Sequence, residues 1–124
     1  MVISQTTMNR FWEVQWKDFE DRVVKHLNRC FPEASLSFEE PEFRQLIRDS
    51  SHRAEYYGFC HERDVCKFID LAFLFGVDFD RDPALDWAPA ILLDPDYDNP
   101  SERIDNLYGQ GMACYGLTRG GNGD

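Results

Sequence analysis

Three observations in the amino-acid sequence predict an all-α fold. Nine of the eleven residues from Val65 to Phe75 are apolar. Two other stretches place apolar residues every three or four positions, the helical period. No segment of useful length alternates apolar with polar residues as a half-buried strand would. The expectation is a single domain of about five helices over residues 1–116, packed around a central apolar helix at about residues 61–76. Residues 117–124 read as a disordered, Gly-rich tail.

The first helix is expected from Thr7 or Met8 to Cys30, with Trp12, Trp16, Phe19, Val23, Leu27 and Cys30 on one stripe. Asp18 with Arg22 and Asp21 with Lys25 are acid-before-base pairs one turn apart, which lend mild local support. Phe31-Pro32 ends this helix, because the residue before a proline disfavours helical geometry. Residues 31–40 read as a connection with Leu36 and Phe38 as apolar anchors. A second helix follows from Pro41 to Tyr57, with Glu39, Glu40 and Glu42 at its positive end. Its buried face is Phe43, Leu46, Ile47, Ser50, Ala54 and Tyr57, and Gly58 stops it.

The central helix begins near His61 and ends at Gly76, a residue that takes the left-handed cap without steric penalty. Lys67 and Asp70, three apart, form its narrow polar edge. Phe79 is then a lone anchor in an acidic loop, and Asp82 or Asp86 caps a short fourth helix packing Trp87, Ala88, Ile91 and Leu92 inward. Ser101 is the expected cap of a fifth helix carrying Ile104, Leu107, Tyr108, Met112 and Tyr115. Gly109 and Gly111 lie inside it, where each costs about 1 kcal/mol relative to Ala unless close packing requires it.

Hydrophobic content of 43% with 29% charged residues describes a globular chain with enough apolar surface for a core. No apolar run reaches the roughly 20 residues that span a bilayer. No basic region followed by an apolar stretch opens the sequence, so the expected compartment is the cytoplasm and the four cysteines are expected to be reduced. Cys30 and Cys66 read as small hydrophobes on helical faces. The net charge of −10 argues against a nucleic-acid partner, which requires a basic patch. That charge is uneven. Residues 1–77 carry thirteen acidic and ten basic residues, whereas residues 78–98 carry seven Asp and one Arg.

Candidate chemistry is sparse. Cys60, His61, Glu62 and Cys66 bring metal-binding types together, but at spacings that match no zinc pattern. Asp78 to Asp82 opens like a calcium loop and then places Pro83 at the sixth position, where Gly belongs, and Pro89 at the twelfth, where Glu belongs. Asp94 to Asp98 lacks the Gly and is interrupted by Pro100. Turn formation and helix capping account for these aspartates. His52 falls on the polar side of its helix, and Glu62 and Asp64 read as a solvated face. No nucleophile elbow, phosphate loop or dinucleotide fingerprint is present. The reading is therefore a protein without catalytic residues, metal or cofactor.

One resemblance adds to this. The residues Ala54, Tyr57-Gly58, Asp64-Val65, Phe68-Ile69-Asp70-Leu71, Gly76, Phe79-Asp80, Pro83, Trp87-Ala88, Ile91-Leu92, Arg103-Ile104 and Leu107 form a packing-and-turn pattern. With Phe31-Pro32 after a helical start, it resembles a group of small proteins encoded beside spike-protein and effector genes in bacterial type VI secretion loci. The resemblance covers about residues 10–110 and implies an accessory role. Such a role is either immunity against a co-encoded toxin or an adaptor that loads an effector onto the spike. It carries over no functional residues. The expected partner is a toxin or effector protein with a basic surface, and neither nucleic acid nor membrane. Its expected contacts are Asp78, Asp80, Asp82, Asp94, Asp96 and Asp98 in an exposed acidic segment. An adaptor would instead show a large exposed apolar groove, and an enzyme built on His61 would show a pocket with converging polar groups.

Overall fold

A computed structural model describes the backbone of residues 10–120 and the side chains of residues 15–116. Among these residues the chain is all-α, without a strand. Six α-helices follow one another: α1 (Arg10–Cys30), α2 (Pro32–Ser35), α3 (Glu40–Tyr56), α4 (Glu62–Phe75), α5 (Trp87–Leu92) and α6 (Pro100–Gly120), with a 3-10 turn at Phe79–Arg81. The expected start of α1 at Thr7 or Met8 and the side chain of Trp12 lie outside the described residues, as do residues 121–124 of the expected tail. The last helix runs to Gly120, past the expected boundary at residue 116. No helix among the described residues is long and apolar enough to cross a membrane.

The central helix is α4. Val65, Phe68, Ile69, Leu71, Ala72 and Phe73 are all buried along it, which leaves little of its surface for water. It packs on α3 along one side and on α6 along another. Gly76 closes it at φ +108°, donating its N–H to the carbonyl of Ala72. At one end Phe31, Phe38 and Phe43 gather around Phe73, with ring centroids 4.7–6.1 Å away. In the middle of α4, Phe68 meets Phe79 at 5.0 Å, so the 3-10 turn is pinned to the core by its single apolar residue.

Several local expectations are corrected. The connection 31–40 contains a four-residue helix, and Leu36 is 87% exposed rather than an anchor. Cys30, assigned to the buried stripe, is exposed. Asp21 accepts a 2.7 Å hydrogen bond from Arg44, with the charge of Lys25 acting on it more weakly. The last helix starts two residues early: Asn99 Oδ1 accepts the N–H of Ser101, a capping bond, while the Ser101 hydroxyl donates to buried Asp64 at 2.8 Å. Asp64 is accordingly part of the interior and not of a solvated face.

The two glycines of α6 differ in what surrounds them. A Cβ at Gly109 would meet nothing within 4 Å. One at Gly111 would overlap the Leu71 Cδ2 methyl and sit 3.2 Å from Trp87 Cη2. Leu71 is fully buried in the core, so its displacement must be absorbed by packed neighbours. Gly109→Ala should therefore stabilise by about 1 kcal/mol through helix propensity. Gly111→Ala should destabilise by roughly 1–2 kcal/mol, because overpacking outweighs that gain. Urea unfolding of the two variants checks the opposite signs. Equal shifts would refute the close α4–α6 contact.

Candidate functional site

Most basic side chains of α1, α3 and α4 are engaged by carboxylates of the same helices and their neighbours. Arg22 forms ion pairs with Asp18 and Glu62 at 2.9 Å each. Arg44 and Arg48 converge on the buried carboxylate of Glu20, which also accepts the indole N–H of Trp16. Arg63 and Lys67 share Asp105, and Arg63 also reaches Asp64. A buried carboxylate must be paired or it costs several kcal/mol. Glu20, Asp64, Asp70 and Asp80 all meet that requirement.

Asp80 is one of the residues expected in an exposed acidic surface, and there the structure corrects the expectation. Its side chain is fully buried. It accepts two hydrogen bonds from Arg53 Nη2 and Nε, at 2.9 and 3.1 Å, and one from the Tyr57 hydroxyl at 2.7 Å. Phe79 in the core turns the following residue inward beneath the end of α3. Burial, followed by the bond to Asp80, pushes the Tyr57 phenol up to about 12.

The other five predicted residues lie at the surface. Asp78 is exposed and bonds Arg81 at 2.7 Å. Asp82 is half-buried, its Oδ1 accepting the N–H of Ala84 at 2.9 Å. Asp94 repeats that turn with the N–H of Asp96, also at 2.9 Å. Asp96 and Asp98 are exposed. Among the described residues none of Asp82, Asp86, Asp94, Asp96 and Asp98 has a basic side chain at ion-pair distance, in contrast to the carboxylates of α1 and α4. These five flank α5, a helix of six residues and so about 9 Å long.

The loop after α5 is held in shape. Arg103 Nη1 donates to the carbonyl of Ile91 at 3.0 Å and also to that of Leu92, satisfying the end of α5. The same guanidinium lies 5.2 Å from the ring centroid of Tyr97. Tyr97 in turn accepts a 2.7 Å hydrogen bond from Asn106 Nδ2. Bordering the acidic surface, a hollow of about 380 Å³ is lined by His52, Arg53, Tyr56, Tyr57 and Arg81. Tyr56 stands 79% exposed on its rim. Tyrosine and arginine in such positions are the residue types that anchor protein interfaces.

The cysteine–histidine stretch behaves otherwise. His61 is exposed at the cap position of α4, and Cys60 and Cys66 are half-buried. No three His, Cys, Asp or Glu side chains are grouped as a metal ion would need among the described residues. A polar cluster that sequence reasoning missed lies between α1, α4 and α6. His26 Nε2 is 2.9 and 3.1 Å from the two oxygens of buried Asp70, the Tyr108 hydroxyl donates to Asp70 at 3.2 Å, and Cys30 Sγ lies 3.6 Å from His26 Nδ1. Burial raises the Asp70 carboxyl above its usual range, opposed by the bonds from His26 and Tyr108. The available signal was Asp70 itself, one acid in an apolar run, which must find a partner on a neighbouring helix.

Compared with known proteins, the chain matches no family model, no curated protein and no solved structure.

Proposed function

We propose that this chain is a non-enzymatic binding protein, an immunity protein that neutralises a co-encoded type VI secretion toxin by covering a basic surface. The observation that supports this reading most is the partition of charge. Six cations of α1, α3 and α4 (Arg22, Arg44, Arg48, Arg53, Arg63 and Lys67) are ion-paired within the molecule, while Asp82, Asp94, Asp96 and Asp98 stand without basic partners in the loops around α5. A surface rich in aspartates without basic partners steers association with a basic cleft and disfavours acidic competitors. Asp78 and Tyr56 would lie at its border.

An adaptor would need a large exposed apolar groove. Among the described side chains the exposed large hydrophobics are Leu36, just after α2, Tyr56, at the end of α3, and Leu93, just after α5. This distribution favours the immunity reading over the adaptor.

The test is a pull-down with the product of the neighbouring gene, followed by co-expression with it. Capture together with rescue from toxicity supports immunity; capture without rescue favours the adaptor; no capture rejects both. Within a complex, changing Asp82, Asp94, Asp96 and Asp98 together to Asn should slow association several-fold. The Tm should stay nearly constant, because Asn keeps the oxygen that accepts the turn N–H. An unchanged association rate would remove these residues from the interface.

A further inference from the structure

Cys30, His26 and Asp70 are arranged in the order nucleophile, base, orienting acid. Cys30 and His26 are one turn apart at the end of α1, so their side chains share a face. Asp70 reaches His26 from α4. An ionised carboxylate only accepts hydrogen bonds, so the ring nitrogen facing it, Nε2, carries the proton. In the tautomer protonated at Nε2, the lone pair of Nδ1 faces the Cys30 thiol, 3.6 Å away. Tyr108 fixes the far side of Asp70. A thiol within reach of a base that a third group orients is the general signature of an activated nucleophile. Cys30 is exposed, so a reagent can reach it. Cys66 provides a contrast on the neighbouring helix. Burial first, and then the charge of Asp70, push its thiol up to about 12, which makes it inert.

We propose that Cys30 is a modification site, a reactive thiol that forms mixed disulfides with small disulfides, and that His26 is its base and Asp70 a positioning residue. In the exchange, the Cys30 proton passes to His26 Nδ1. The thiolate attacks one sulfur of the disulfide, the S–S bond breaks, and the departing sulfur leaves with the bonding pair and takes the proton from His26. The products are Cys30 joined to one half of the reagent and a free thiol from the other half, so neither a further oxidant nor a further reductant is required. Acyl transfer fits less well because it needs donors for an oxyanion. The backbone N–H following Cys30, that of Phe31, is spent on the carbonyl of Leu27 at 2.9 Å. Disulfide exchange builds no such charge.

The test uses the folded full chain and dithiobis(nitrobenzoic acid), with the modified cysteine located by mass spectrometry after partial reaction. Cys30 should react first, about ten-fold or more faster than the same cysteine in the urea-unfolded chain, and glutathione disulfide should label the same residue. His26→Ala should remove that advantage, and free imidazole in the buffer should restore part of it, which a merely structural role of His26 would not allow. Asp70→Asn should reduce the rate less, since Asn still accepts a hydrogen bond. Circular dichroism establishes that each variant is folded. The unaltered protein alone already decides the main point: if Cys30 reacts no faster folded than unfolded, or if another cysteine reacts first, the proposal fails. A His26→Ala variant that is folded and as fast as the parent would overturn the role of His26.

Discussion

Phe68→Asp should abolish the cooperative thermal transition. Phe68 is fully buried in the middle of α4, with Tyr57, Phe59 and Phe79 around it at ring-centroid distances of 5.0–6.1 Å. Losing a buried phenylalanine side chain costs about 3–5 kcal/mol. The carboxylate that replaces it would have no basic partner among these rings, and an unpaired buried charge adds several kcal/mol more. The sum reaches the roughly 5–15 kcal/mol that holds a typical domain together. Leu71→Asp, one turn on and equally buried, should behave alike. Far-UV circular dichroism during heating is the check. A variant with a near-parental Tm would mean that α4 is not the centre of the core.

The second large effect concerns Asp80. Asp80→Ala deletes the acceptor of two Arg53 hydrogen bonds and of the Tyr57 hydroxyl bond. Breaking a buried pair by removing one partner costs about 3–5 kcal/mol, and the lower end applies because the Arg53 side chain is 25% exposed and water can reclaim part of it. A loss of about 3 kcal/mol should lower Tm by roughly 10 °C for a domain of this size. Asp80→Asn should cost less but still clearly destabilise. A second readout distinguishes this from general damage. The Tyr57 phenol, pushed up to about 12 partly by the bond to Asp80, should titrate at lower pH in Asp80→Asn. Neutralising exposed Asp96 and Asp98 should do neither. If Asp80 and Asp96 variants were equally stable, the burial of Asp80 would be wrong.

This contrast shows what the sequence could and could not reveal. The periodic elements were legible. The apolar run of α4, the Pro41 start and Gly58 end of α3, and the Gly76 stop lie within one or two residues of the observed boundaries. The unanticipated pieces are short. A four-residue helix and a three-residue turn complete no hydrophobic period, so nothing in residues 31–40 separated Phe38, which packs on Phe73, from Leu36, which faces water. Among the acidic residues, composition located the segment but could not sort its members. Asp78, Asp80 and Asp82 are identical in type and two apart, yet only Asp80 is fully buried, because Phe79 turns the chain inward against Arg53 and Tyr57. Those partners are more than twenty positions earlier, and pairing of this kind is decided by tertiary packing alone. The same holds for His26 and Asp70, which are 44 positions apart.

In the proposed function, the loops flanking α5 act through an unbalanced negative field on a basic protein partner. The rate of association with the proposed toxin partner, measured by stopped flow over a series of ionic strengths, is the direct test. The rate should fall steeply as salt rises. The Asp82, Asp94, Asp96 and Asp98 to Asn variant should be several-fold slower at low salt and converge with the parent at high salt, where the charges are screened. A rate independent of salt, with parent and variant superimposed throughout, would contradict it.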